Sequence, residues 1–65
     1  MNKIQIKVEE FDYYIARFML KQEGILLHFD PSITEKNCMS IENTPENIEW
    51  IKREFPFRNI NYELL

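Results

Sequence analysis

Glycine and cysteine are scarce in this chain of 65 residues, which has one of each, at Gly24 and Cys38. A single cysteine excludes an internal disulfide, and it agrees with a reducing cytoplasm, where we expect the protein to reside. A chain this short must then gain its stability from packing or association. With 45% hydrophobic and 14% aromatic residues, we expect one folded domain over residues 1–65 rather than a disordered segment.

Long apolar runs and basic blocks are also missing. No run approaches the ~20 apolar residues that a membrane-spanning helix needs, and the first ten residues lack the apolar core of a signal peptide. The net charge is −3, with both signs scattered along the chain. A nucleic-acid-binding protein usually carries a basic patch. We therefore predict a protein that binds neither membranes nor nucleic acids.

The strongest periodicity in the chain belongs to a predicted helix over residues Glu9–Gly24. Gly24 follows the last periodic residue, at the position where many helices end in a left-handed conformation. Large apolar side chains recur at the spacing of one helical stripe, and we expect that stripe to face the core: Phe11, Tyr14, Ile15, Phe18 and Met19.

Alternation of apolar and polar residues predicts strands on both sides of this helix. The first strand is Lys3–Val8, and the second is Ile25–Asp30, directly after the helix. A weaker third strand, Asn37–Glu42, has Met39 and Ile41 facing inward. The last strand is predicted over Phe57–Leu64.

A second helix has the clearest start signal in the chain. Thr44 is a predicted N-cap and Pro45 occupies the first helical position. Pro56 is predicted to end the helix. The inward stripe is formed by Ile48, Ile51 and Phe55.

The element order is therefore β-α-β-β-α-β. Right-handed crossovers place both helices on one face of a four-stranded antiparallel sheet, which is the ferredoxin-like arrangement of the α+β class. The chief alternative is an arrangement in which the third strand does not form.

From Ile4 to about Tyr62 the chain resembles a group of short bacterial domains of unknown function with this element order. The resemblance lies in the IQIKVEE strand end, the aromatic helix closed by Gly24, the sequence FDP at residues 29–31 and the helix start TPEN. It implies the ferredoxin-like fold and brings no catalytic residue with it.

The well-known activities of this fold lack their residues here. Heavy-metal carriers need two cysteines between the first strand and the first helix, and this chain has none there. RNA-recognition domains expose aromatic residues on the two central strands. The corresponding outward positions are not aromatic: Lys3, Gln5, Lys7, Cys38, Ser40 and Glu42. We predict no catalytic residue and no cofactor.

A weak metal site at His28 and Cys38 is the remaining chemical candidate. If the second and third strands pair about a centre near Ile33, these side chains lie opposite each other, with Asp30 and Glu42 nearby. Histidine, cysteine and carboxylate are zinc ligands. The favoured alternative is an ordinary polar strand face, because the loop leaves the register undefined.

A second apolar stripe on the helices indicates a surface for a protein partner. Tyr13, Leu20 and Trp50 are predicted on the outward helical faces, where aromatic residues often anchor interfaces. The alternative is that Trp50 packs within the chain, on Tyr13 or Arg17. The last strand offers a second way to associate with a partner, since an edge strand with few charges can pair with another chain.

The sequence thus predicts a non-enzymatic interaction or regulatory module that forms a homodimer or docks on a protein partner. The alternative is a small-ligand sensor with its cleft between a sheet edge and a helix end. An enzyme ranks third, because no nucleophile, base and orienting group occur together.

Overall fold

A computed structural model describes residues 2–26 and 35–65. Over these ranges the chain has an α+β fold, as the sequence predicts. No helix in these ranges is both long and apolar enough to cross a membrane. The elements are β1 (Lys3–Val8), a 3-10 turn (Glu10–Asp12), α1 (Tyr13–Gln22), β2 (Cys38–Glu42), α2 (Pro45–Phe57) and β3 (Tyr62–Leu64).

The described strands form an antiparallel sheet in the order β2-β1-β3, with the first strand in the middle. The register pairs Ile6 with Met39 on one side and with Leu64 on the other. Most of the predicted strand Ile25–Asp30 lies outside the described residues. Leu26, near its start, forms an isolated antiparallel bridge to Ile41 of β2.

One face of the sheet and both helices form a single hydrophobic core. Alternate residues of β1, β2 and β3 face the helices because side chains on a strand point to opposite sides in turn. The residues buried in this core are Ile6, Val8, Ala16, Leu20, Ile25, Met39, Ile41, Ile51, Phe55 and Ile60.

The apolar stripe of α1 that the sequence assigns to the core faces outward, so that prediction is wrong. Ala16 and Leu20 form the buried side of the helix, and Met19 is only partly buried. A ten-residue helix on a three-stranded sheet buries only one narrow stripe of its side chains. The stripe with the larger side chains lies on the solvent side of the helix.

The end of α1 fixes this orientation. Gly24 has a φ angle of 73°, as predicted from its position. Its amide donates to the Lys21 carbonyl at 3.1 Å, and the Ile25 amide donates to the Leu20 carbonyl at 2.9 Å. These two bonds form a Schellman motif, in which the residues at both ends of the longer bond pack together. Leu20 and Ile25 are both buried in the core.

A second Schellman motif ends α2. Asn59 has a φ angle of 59°, and the Ile60 amide donates to the Phe55 carbonyl at 2.8 Å. The helix includes Pro56 and continues to Phe57, so the prediction that Pro56 ends it is wrong. The chain completes its last turn because the Pro56 carbonyl accepts a hydrogen bond from the Asn59 amide at 3.0 Å.

This helix end also shortens the last strand. The predicted strand Phe57–Leu64 is reduced to Tyr62–Leu64, because the five residues before it complete and close α2. The predicted face is nevertheless confirmed in part. Ile60 is buried, whereas Tyr62 and Leu64 are partly buried against the core.

The second face of the sheet is less open than the alternation predicts. Cys38 and Ser40 are expected in solvent, yet both are buried. Lys7 is the register partner of Cys38, and the thiol lies 3.7 Å from a carboxylate oxygen of Glu35. Long side chains on this face therefore cover the thiol.

We expect Leu20→Ala to lower the free energy of unfolding by about 2–5 kcal/mol, or to abolish folding, because it opens a cavity in the core. The neighbouring Lys21→Ala variant, on the exposed side of α1, should change it by less than about 0.5 kcal/mol. Urea unfolding followed by circular dichroism measures both. Similar losses in the two variants would contradict the orientation of α1.

The Thr44 cap of α2 is confirmed, since its side-chain oxygen accepts a hydrogen bond from the Asn47 amide at 3.2 Å. We expect Thr44→Ala to lower the unfolding free energy by about 1 kcal/mol. Thr44→Ser keeps the oxygen and should retain most of the stability. The same urea experiment measures both variants, and equal stability of all three proteins would show that the cap contributes nothing.

Candidate functional site

The outward side of the first helix and the turn before it carry four of the six large hydrophobic side chains that are exposed among the described residues. We call this surface the α1 outer stripe. It spans the 3-10 turn and the first two turns of α1, at the i, i+3, i+4 and i+7 positions. Its members, with their exposed fractions, are Phe11 (91%), Tyr14 (80%), Ile15 (54%) and Phe18 (64%).

The α1 helix has apolar residues on both sides, which is unusual for a small domain. Leu20 and Ala16 bury one side of it, while the stripe lies on the opposite side. Helices that are apolar around their circumference are normally covered on both sides. A single exposed apolar residue is ordinary, but a contiguous patch usually marks a contact surface.

Part of the α1 outer stripe is held in place by its neighbours. The Tyr14 ring packs edge-on against Tyr13, with the ring centroids 5.4 Å apart. Arg17 donates a hydrogen bond to the Tyr13 hydroxyl at 3.3 Å, and Tyr13 itself packs against the core. A partner therefore meets a Tyr14 ring that already has a fixed neighbour, which lowers the entropy cost of binding.

Charges of opposite sign border the two ends of the stripe. Glu9, Glu10 and Asp12 precede or occupy the 3-10 turn, whereas Arg17 and Lys21 lie in the second half of α1. Glu10 also forms an exposed ion pair with Lys36 at 3.7 Å. The surface thus has an acidic end and a basic end.

The three residues predicted to bind a partner belong to the inward side of the helices. Leu20 is fully buried, and Tyr13 and Trp50 are partly buried against the core. Trp50 packs edge-on against Phe55 with a centroid separation of 6.1 Å. The prediction of exposure is wrong for Leu20, because the two stripes of α1 are reversed. Tyr13 and Trp50 keep part of their surface in solvent, and the packing of Trp50 on Phe55 agrees with the alternative that it packs within the chain.

The last strand is the other predicted docking element. β3 has three residues and pairs with β1, so it forms one edge of the described sheet. A short edge strand offers few unpaired backbone groups to another chain. The α1 outer stripe is therefore the stronger candidate.

A polar cluster on the other face of the sheet contains Lys7, Glu35 and Cys38. The Lys7 ammonium lies 3.0 Å from Glu35, and the Cys38 thiol donates to the same carboxylate at 3.7 Å. Burial and the charge of Glu35 raise the pKa of Cys38. The hydrogen bond and charge of Lys7 lower the pKa of Glu35. A protonated thiol is a poor nucleophile and a poor metal ligand.

The predicted metal site cannot be assembled from the described part of the chain. His28, Asp30 and Ile33 lie outside it. Cys38 belongs to the polar cluster with Lys7 and Glu35. Among the described residues, no group of three or more histidine, cysteine or acidic side chains has the geometry to hold a metal ion.

Two open depressions bear on the predicted ligand cleft. One lies between the helices and is lined by residues that include Met19, Trp50 and Arg58. The other lies beside β1 and β3, near Lys7 and Tyr62. The first is partly open to solvent and the second is widely open, whereas small-ligand sites usually enclose most of the ligand surface. Ligand sensing stays a prediction.

Comparisons with protein-family models, curated proteins and solved structures returned no significant match. The resemblance to short bacterial domains therefore also stays a prediction.

Glu35→Gln should shift the pH midpoint of Cys38 alkylation downward, because Glu35 repels the thiolate and accepts the bond from the thiol. Lys7→Gln should shift the midpoint upward, since the Lys7 charge lowers the pKa of the thiol. Glu46→Gln, at the start of α2, serves as a control with no expected shift.

Iodoacetamide labelling of the folded protein, followed by mass spectrometry across the alkaline pH range, gives these midpoints. Shifts of the same sign in Glu35→Gln and Lys7→Gln would contradict the arrangement of the polar cluster.

Proposed function

We propose that this chain is a non-enzymatic protein-interaction module that docks through the α1 outer stripe. The observation that supports this proposal is the exposure of four large apolar side chains on one side of α1. Covering the stripe is energetically favourable, because each fully buried large apolar residue contributes about 1.5–3 kcal/mol relative to exposure.

The composition of the stripe also supports protein recognition. Phe and Tyr are enriched at the centres of protein interfaces. They bury large areas and have few rotatable bonds, so that ordering them costs little entropy. The stripe contains three such residues: Phe11, Tyr14 and Phe18. Charged side chains at its two ends supply the polar rim that a typical interface has.

We also propose the complete ferredoxin-like arrangement, with a fourth strand beside β2. Support comes from the antiparallel order β2-β1-β3. The bridge from Leu26 to Ile41 gives further support. Ile41 already pairs with Ile4 of β1 on one side, so Leu26 must approach the other side. A single buried thiol agrees with a cytoplasmic location for such a domain.

Site-specific photo-cross-linking in cells tests the docking surface. Benzoylphenylalanine replaces Phe18 in one variant and Phe57 in a matched control. Phe57 is also an exposed phenylalanine, with 78% of its surface accessible, but it lies at the end of α2. We expect several times more protein adduct from position 18, because the interface surrounds it.

Adduct yields are read from denaturing gels, and the partner is identified by mass spectrometry. Equal yields from positions 18 and 57, or no adduct from position 18, would argue against docking through the α1 outer stripe. Adducts of any mass that depend on position 18 support the proposal, whichever protein they contain.

A further inference from the structure

We infer that the partner of the α1 outer stripe is a second copy of this chain, with the two α1 helices antiparallel about a twofold axis. The inference rests on the proposed function, because it names the occupant of the same surface. Three features of the structure support it: the symmetry of the stripe, its area and the charges at its ends.

The stripe can cover itself when two copies meet. In a twofold dimer the same patch is used by both subunits, so it must be self-complementary. Tyr14 and Ile15 lie at the middle of the stripe, with Phe11 and Phe18 at its two ends. An antiparallel pair centred on Tyr14 and Ile15 places Phe11 of each copy over Phe18 of the other. Such aromatic pairs add favourable edge or offset contacts.

The exposed area is sufficient for a weak dimer. An aromatic side chain presents about 150–250 Å² when fully accessible. With the exposed fractions given above, the stripe offers on the order of 500 Å² per copy, so a dimer buries roughly 1,000 Å². That value lies at the lower limit for specific interfaces. We therefore expect a dimer that dissociates on dilution.

Charge selects the antiparallel direction. Glu10, in the 3-10 turn, and Lys21, in the last turn of α1, are both exposed at opposite ends of the stripe. Helical spacing puts them on the same flank of the stripe, and Glu10 is held within the chain only by an exposed ion pair with Lys36 at 3.7 Å. In an antiparallel twofold pair, each flank of the stripe lies beside the same flank of the other subunit, which runs in the opposite direction. Glu10 therefore approaches Lys21 of the other subunit. A parallel pair would place the acidic ends together, and the helix dipoles would also repel.

Charge exchange provides the test. In Glu10→Lys and in Lys21→Glu, both cross-subunit contacts join like charges, and each variant alone should dimerise about tenfold more weakly. In an equimolar mixture of the two, both contacts of the heterodimer join opposite charges. We expect the mixture to regain the wild-type dissociation constant, and the double variant to regain it alone.

Sedimentation velocity at low salt, from about 5 to 500 μM, covers the range where weak interfaces assemble. Wild type should pass from 8.0 kDa to twice that mass. Lys52→Glu is the matched control, since it makes the same charge change at an exposed position of α2. It should dimerise like wild type. Circular dichroism verifies that every variant is folded.

A wild-type chain that stays monomeric over this range would overturn the inference. A dimer without recovery in the mixture would overturn the antiparallel arrangement. Photo-cross-linking separates this failure from failure of the proposed function. A monomer whose position 18 cross-links to a different protein refutes self-association only, whereas a monomer without adducts at position 18 refutes both.

Discussion

A left-handed residue at each helix end determines how both helices face the sheet. At Gly24 and Asn59 the chain turns back so that the residue after the turn bonds to a carbonyl five residues earlier. The same geometry brings the side chains at the two ends of that bond together. Leu20 meets Ile25, and Phe55 meets Ile60, in the core. Each helix is therefore attached to the sheet by its last turn, and the opposite side of the helix is left to solvent.

That constraint explains why the bulkier stripe of α1 is outside. Helical periodicity reports that two stripes exist, but it contains no information on which one meets the sheet. The position of Gly24 does contain this information, because a Schellman motif at Gly24 brings Leu20 and Ile25 into contact. Ile25 begins a segment with core alternation, so Leu20 must also face inward. Side-chain size alone favours Phe11 and Phe18 as the core residues, which assigns the two stripes in reverse.

Local signals predict much of the rest. The limits of β1, the Thr44 cap and the inward faces of β2 and α2 follow from residues close together in sequence. The end of α2 does not follow, because the Asn59 turn outweighs the usual effect of Pro56. The sequence does not predict the burial of Cys38 either, because that burial depends on Glu35 and on the partner strand. For the candidate site, the sequence identifies the residues of the stripe but not their exposure.

The central position of β1 has a consequence for how the domain folds. Its partners lie far along the chain, with Ile6 beside Met39 and beside Leu64. The entropy of closing such long loops must be lost before any strand pairing is gained. The two helices and their closing turns involve only neighbouring residues and can form earlier. We therefore expect sheet closure to be the slow step, and before it α1 would present apolar residues on both sides. Crowded, newly made chains would associate most readily in that interval.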